Sequence, residues 1–196
     1  SEKEVLRLPV AFITIIRQAD SPTPVVLTIE QPWSEYLRDN ANGISPLHFA
    51  DALIRADLGL SGLALELAMD VWPGGSFPRD LIELSRLIDR WAMLGLPLLI
   101  HLSSPTRSAD GRGDRVADWH VPVPDTRSKA NGSEGFIPPE AVVQLLLAKP
   151  PVHAVIWDQL TDQHPVASCC SGILDHQGKP KKLLENLAEL RSRYLI

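Results

Sequence analysis

Short apolar runs alternate along the chain with longer stretches in which apolar residues recur at helical spacing. The runs are rich in Val, Ile and Leu and are apolar on both faces, which predicts strands of a parallel sheet covered by helices. The predicted strands are 25–31, 63–69, 98–103 and 152–159. The predicted helices are 4–18, 45–58, 78–95, one that begins at Pro138, and 180–194. Four βα units therefore follow one another along the chain.

Four such units are half of a closed (β/α)₈ barrel, which needs eight units and at least about 200 residues. A small doubly wound sheet is the competing architecture. That fold usually carries a Gly-rich phosphate-binding turn, and the sequence contains neither GxGxxG nor GxxxxGK[ST]. We therefore predict an α/β fold in which residues 1–196 form a single partial TIM-barrel domain with four parallel βα units. The strand order should follow the chain.

The segment 104–136 interrupts this pattern after the third strand. It is rich in Asp, Arg, Gly, Ser and Pro and shows no periodicity. A long insertion of this kind in a compact domain is either a functional lid or disordered. We predict a long loop insertion there, with both alternatives open.

Composition excludes several classes of partner. The chain has a net charge of -5 with 22% charged residues, which argues against a basic nucleic-acid binder. Its longest apolar runs, such as 94–102, are about half the length that spans a bilayer. Its two cysteines, Cys169 and Cys170, are neighbours and provide neither a disulfide framework nor metal-ligand spacing. We expect no nucleic-acid or membrane partner, no cofactor and no catalytic metal.

Enzymes with barrel folds keep their chemistry at the carboxyl ends of the strands. Three candidate catalytic side chains lie there: Glu66, Glu30 and His101. Glu66 is the leading candidate because a carboxylate inside an apolar strand is costly to bury without a partner. The alternative is a structural ion pair with Arg55 or Arg79. For His101 the alternatives are a base and a hydrogen-bonded side chain without catalytic duty. Glu35 is expected in a solvated turn.

Aromatic rings near strand ends provide flat surfaces on which sugar rings stack. The candidate substrate-binding residues are Trp33, Tyr36, Trp72, Trp157, Asp158 and Gln159. Trp157 is favoured because polar residues follow it at a strand end, whereas Trp91 lies on a helical stripe and is assigned to the core. The alternative for every one of these rings is core packing.

Several segments resemble the second half of glycoside hydrolase family 10, the endo-β-1,4-xylanase family. They are 49–56, 62–67, Val155-Ile156-Trp157 with Asp162, and 172–181, which reads GILDHQGKPK. In that family the last strand delivers a Trp to the sugar site, a Leu-Asp-x-x-Gly-Lys-Pro-Lys turn follows, and a final helix closes the barrel. The resemblance implies the C-terminal half of a (β/α)₈ TIM barrel, covering strands five to eight.

The sequence departs from this family at its two catalytic positions. The family's acid/base Glu lies on strand four, which the matched half does not contain. Its nucleophile lies on strand seven in a Thr-Glu-Leu-Asp pattern, and the strand here places His101 at that position. Retaining hydrolysis needs two carboxyl groups about 5–5.5 Å apart, so the family mechanism is not preserved as it stands.

The resemblance implies a glycoside hydrolase-like domain that acts on β-linked polysaccharide such as xylan, or descends from enzymes that do. The alternative is a carbohydrate-binding pseudoenzyme without catalysis. A half-barrel also leaves two sheet edges and an inner face exposed, and we expect Val26, Thr28, Ala64 and Val155 on that face. We therefore predict self-association or a missing N-terminal half-barrel.

Overall fold

The computed structural model describes residues 2–38, 43–69, 76, 79–103, 137–163 and 171–194. Its helices and strands alternate after the first helix. They are α1 (Glu2–Ala19), β1 (Val25–Ile29), α2 (Pro46–Arg55), β2 (Leu60–Ala68), α3 (Leu81–Ala92), β3 (Leu98–Ser103), α4 (Pro139–Leu147), β4 (Val152–Trp157) and α5 (Lys182–Tyr194). A short 3₁₀ helix, Glu35–Arg38, follows β1. The predicted loop at 104–136 lies outside the described residues.

The four strands form one parallel sheet in the order β1-β2-β3-β4. This confirms the predicted partial barrel and its chain-order topology. The strand bounds differ from prediction at four places, of which the smallest is the end of β2 at Ala68, one residue early. β2 begins at Leu60 because its backbone pairs with the start of β1 there. β1 and β4 end two residues early, and Glu30 and Asp158 are the first residues beyond them.

Helix starts follow local capping chemistry. The Ser45 side chain accepts a hydrogen bond from the backbone N–H of His48 at 3.2 Å, as its Ser-Pro sequence predicts. The third predicted helix begins later than expected because Asp80 is its N-cap and accepts from the N–H of Glu83 at 2.7 Å. Both caps fix helices that cover one face of the sheet.

The hydrophobic core lies between the sheet and helices α2, α3 and α4. Its strand contribution comes from alternate residues of β2 and β3, and its helical contribution from one stripe of each helix. Fully or nearly fully buried members are Leu63, Leu65, Leu67, Leu84, Ile88, Trp91, Leu98, Ile100, Leu102, Val142 and Leu146. Trp91 belongs to this core, as its helical stripe predicts.

The opposite face of the sheet carries small residues on β2 and larger apolar ones on the two outer strands. Val26 and Ile156 keep 40% and 39% of their surface exposed. The prediction that Val155 lies on this face is wrong, because Val155 pairs in register with the buried Ile100 and packs against the helix-side core. We call this partly exposed surface the open face.

No helix in the part of the chain that the structure describes is long and apolar enough to cross a membrane.

Candidate functional site

Four ionisable side chains lie at the carboxyl end of the open face, one from each βα unit. Glu66 of β2 and His101 of β3 are register partners. Glu30 follows Ile29, the residue that pairs with Leu65, and so continues the same row. Asp158 follows β4. We call Glu30, Glu66, His101 and Asp158 the carboxyl-end cluster.

His101 and Asp158 form an ion-pair contact within this cluster. Nδ1 of His101 lies 3.5 Å from Oδ1 of Asp158. The side chains are 32% and 43% exposed, so both are accessible from the solvent. Asp158 is held at its backbone, where its N–H donates to the carbonyl of Leu102 at 3.1 Å. The pair therefore bridges the last two strands of the sheet.

The electrostatic environment of Glu66 favours its protonated form. Burial raises the pKa of Glu66, and the nearby charges of Glu30 and Asp158 raise it further, while His101 acts in the opposite direction. In the described residues Glu66 makes no ion pair with an arginine. The alternative of a structural Glu66–arginine network is therefore not formed.

The two arginines considered for that network have other partners. Arg55 pairs with Asp51 at 2.9 Å within α2. Arg79 pairs with Glu35 at 2.6 Å, and the side chain of Glu35 is only 4% exposed. The expectation that Glu35 lies in a solvated turn is wrong, because this ion pair draws the carboxylate into the protein interior.

Two of the predicted aromatic residues, Trp157 and Trp33, pack on the helix side of the sheet and not in the carboxyl-end cluster. Trp157 pairs in register with the buried Leu102 and packs on the helix side, where its Nε1 donates to the carbonyl of Ser171 at 2.8 Å. Trp33 also packs against the core, with the Arg79 guanidinium 5.8 Å from its ring centroid. Neither ring contributes a platform to the open face. Trp157 follows the open-face residue Ile156, and side chains of a β-strand alternate between faces. Trp33 packs against the core from the turn after β1.

The remaining predicted binding residues have separate positions. Gln159 is buried, donates from Nε2 to the carbonyl of Thr161 at 2.8 Å and accepts from the Ser171 hydroxyl. It therefore supports the loop after β4. Tyr36 lies in the 3₁₀ helix. Trp72 lies outside the described residues.

The turn that carries the family resemblance is built around Asp175. Its Oδ1 accepts from the backbone N–H groups of Gln177 at 2.8 Å and Lys179 at 2.9 Å. The hydrogen bond from Lys179 is the main cause that lowers the pKa of Asp175. Gly178 has a φ of 78°, a backbone conformation that favours glycine. In the Asp-x-x-Gly sequence, the aspartate therefore binds the backbone of the turn and the glycine adopts its positive φ.

A buried ion pair links this turn to the loop after β4, and the sequence alone did not indicate it. Lys181 pairs with Asp162, and their side chains are 5% and 13% exposed. Asp162 Oδ1 also accepts from the N–H of Gly172 at 2.8 Å. The partners lie far apart in sequence, so no local pattern signals the contact.

The sequence pattern also did not predict a cleft of about 600 Å³ that lies beside Glu30. It lies between the beginning of α1, the end of β1 and the beginning of α2, and its lining includes Val5, Thr28, Gln31 and Phe49. Such a cleft arises from helix placement and has no sequence signature. Across the described residues, no three His, Cys, Asp or Glu side chains are grouped to hold a metal ion.

Solved structures share this fold. The chain resembles xylanase 10B from Thermotoga petrophila in complex with xylobiose, with a TM-score of 0.59 and 12% identity over 95% of this chain and 52% of that one. It resembles a thermostable mutant of Xyn10A from Cellvibrio japonicus, with a TM-score of 0.56 and 13% identity over 93% and 54%. It also resembles a family 10 xylanase from Thermobacillus composti, with a TM-score of 0.57 and 14% identity over 94% and 58%.

No protein-family model and no curated protein matches the sequence. At these identities the structural likeness defines the fold alone. The chain adopts a partial TIM barrel like that of family 10 xylanases and spans about half the length of the three structures described. This agrees with four of eight βα units.

Proposed function

We propose that this chain is the C-terminal half of a glycoside hydrolase barrel that hydrolyses β-linked polysaccharide such as xylan, with Glu66 as the proton donor. The supporting observation is the carboxyl-end cluster on the open face, where Glu66 lies among acidic neighbours. The likeness to xylanase structures, one of them in complex with xylobiose, supports the choice of substrate class.

The chemistry follows from the unequal environments of the carboxyl groups. Glycoside hydrolysis needs one protonated carboxyl group to donate to the departing oxygen and a second group to act as base or nucleophile. Burial together with the charges of Glu30 and Asp158 raises the pKa of Glu66 and so favours a retained proton. Glu30 is exposed beyond β1 and Asp158 is half-exposed beyond β4, so solvent and substrate have access to both of these carboxyl groups.

A second half-barrel completes the proposed enzyme. Val26 and Ile156 are exposed on the open face, and β1 and β4 are the outer strands of the described sheet. Apolar burial contributes roughly 25 cal/mol per Å², so covering this face is favourable. We propose that either a second copy of the chain or additional βα units of a longer polypeptide cover it.

The test compares Glu66→Gln with Glu189→Gln, since Glu189 is an exposed carboxyl on α5 away from the cluster. Reducing ends released from xylan and defined xylo-oligosaccharides are measured, alongside oligosaccharide binding by calorimetry. We expect Glu66→Gln to lower kcat by about 10²–10⁴-fold, as for loss of a general acid, while binding persists. Glu189→Gln should retain wild-type turnover. Equal turnover in both variants removes Glu66 from the mechanism.

A second candidate function is carbohydrate binding without catalysis. It is favoured by His101 on β3, where the family resemblance places a nucleophilic glutamate. Under this alternative the wild-type chain binds xylo-oligosaccharides and releases no reducing ends. Glu66→Gln then changes affinity alone. Binding without turnover in the wild type therefore selects this candidate and refutes hydrolysis.

A further inference from the structure

We propose that the cleft beside Glu30 binds a segment of a neutral sugar chain whose reacting bond lies at the carboxyl-end cluster. This inference rests on the proposed function for the class of ligand, and it adds a second contact region that makes binding depend on chain length. Glu30 is the supporting residue, because it belongs both to the cluster and to the lining of the cleft. A chain that passes Glu30 therefore contacts both regions without a break.

The cleft has the position and the size of a ligand site. It lies at the carboxyl end of β1, where Ile29 ends the strand and Gln31 follows in the loop. Barrel folds bind their ligands at this face, which the carboxyl ends of the strands form. The volume of about 600 Å³ falls within the range of about 300–1,000 Å³ for sites that hold small molecules. The cleft therefore has room for an organic ligand.

The lining of the cleft combines apolar and polar side chains. The apolar side chains come from α1, β1, α2 and the loop before α2, and include Val5, Ile29, Ile44 and Phe49. The polar side chains come from the end of β1 and the loop after it: Thr28, Glu30 and Gln31. A sugar ring has an apolar C–H face and hydroxyl groups at its rim, so it can contact a phenyl ring and hydrogen-bond to carboxyl or amide groups together. The mixed lining therefore suits a sugar.

The beginning of α2 does not make the cleft an anion site. Pro46 has no backbone N–H group. The N–H groups of His48 and Phe49 donate to the side chain and the carbonyl of Ser45, at 3.2 and 2.9 Å. This capping uses donors that a phosphate or carboxylate would need at a helix start. Among the described residues that line the cleft, one is acidic and none is basic. The cleft therefore favours a neutral ligand over an anionic one.

The competing occupant is an apolar segment of a second half-barrel, since the cleft lies beside the outer strand β1. Such a segment would bury the exposed carboxyl group of Glu30 among apolar groups, which is costly. A sugar hydroxyl can instead donate a hydrogen bond to that carboxyl group. Leu8, Phe12 and Ile15 of α1 are exposed outside the cleft lining and offer a protein partner an apolar surface. The polar lining therefore favours a sugar as the occupant of the cleft.

Calorimetry with xylotriose and xylohexaose tests the cleft, because the longer chain can occupy the cluster and the cleft together. We expect the wild-type chain to bind xylohexaose about tenfold more tightly than xylotriose, which corresponds to one aromatic contact. Val5→Arg places a long charged side chain at the cleft and should remove this preference without changing the affinity for xylotriose. Val5 is 51% exposed, so the core does not depend on it. Phe49→Ala should have the same effect on binding.

Leu8→Arg is the matched control, since Leu8 lies on the same helix, is 63% exposed and does not line the cleft. It should keep the preference for xylohexaose. If Val5→Arg also keeps it, or if the wild type binds both sugars equally, the inference is wrong. If Val5→Arg instead dissociates a dimer in sedimentation and leaves sugar affinity unchanged, the cleft belongs to a protein contact.

This binding experiment separates the inference from the proposed hydrolysis. A preference for xylohexaose without released reducing ends supports the cleft and refutes hydrolysis. Turnover without that preference supports hydrolysis and refutes the cleft. Absence of both binding and turnover refutes both proposals.

Discussion

The buried ion pair between Arg79 and Glu35 gives a stability prediction whose size follows from the structure. The pair has an N–O distance of 2.6 Å and side chains that are 12% and 4% exposed. Removing one partner of a buried pair leaves an uncompensated charge and costs about 3–5 kcal/mol. For Glu35→Gln we expect the lower end, about 3 kcal/mol, because Glu83 stays 3.4 Å from Nε of Arg79.

This loss is a large share of a total stability of about 5–15 kcal/mol. For a chain of this length, each kcal/mol corresponds to about 2–4 °C in melting temperature, so Glu35→Gln should melt about 6–12 °C below the wild type. Circular dichroism at pH 7 measures both melting and urea unfolding.

Glu83→Gln is the internal control for this experiment. Glu83 contacts the same arginine, but its side chain is 57% exposed, and an exposed i,i+4 pair contributes only about 0.3–0.5 kcal/mol. Its melting temperature should fall by at most about 2 °C. High salt should abolish the Glu83 effect and leave most of the Glu35 effect, since buried pairs are weakly screened. Equal losses in the two variants would refute the reasoning.

Three further changes have defined outcomes. Because the raised pKa of Glu66 makes the native state hold a proton that the unfolded chain has lost, stability should fall as pH rises above about 4.5. The free energy of urea unfolding should be higher for Glu66→Gln than for the wild type at pH 7 and equal to it below about pH 4. Glu189→Gln should show no such dependence on pH. Gly172→Ala should cost about 1–3 kcal/mol in urea unfolding, because a Cβ there would lie 2.6 Å from the facing backbone; an unchanged midpoint would contradict this. Ile100→Ala, at 0% exposure, should cost about 2–5 kcal/mol, while Ile82→Ala, at 65%, should cost under about 1 kcal/mol in the same assay.

The sequence predicted the sheet well because its strands are apolar runs bounded by clear breaks. β3 has the predicted bounds, and Ser45 and Trp91 have the positions that their local patterns indicate. These features depend on neighbours within a few residues, so a single sequence contains their causes. The predicted ends of β1 and β4 were less accurate. The loops after these strands begin at Glu30 and Asp158, two residues earlier than the sequence pattern indicates.

The carboxyl-end cluster was predicted only in part. Glu66, Glu30 and His101 were selected from strand ends, and parallel pairing brings such ends to one edge of the sheet. The pairing of His101 with Asp158 depends on which face each side chain takes. Trp157, one residue before Asp158, takes the opposite face and enters the helix-side core. A shift of one residue thus separates a site residue from a core residue.

The position of the cluster connects chemistry to assembly. Glu30 follows β1 and Asp158 follows β4, the two outer strands of the described sheet, so the cluster extends across its full width. A second half-barrel that pairs with those outer strands would contact the polypeptide beside both ends of the cluster. Its arrival would also reduce solvent around Glu66, and stronger desolvation raises a carboxyl pKa further. Completion of the barrel and retention of the proton on Glu66 would therefore favour each other.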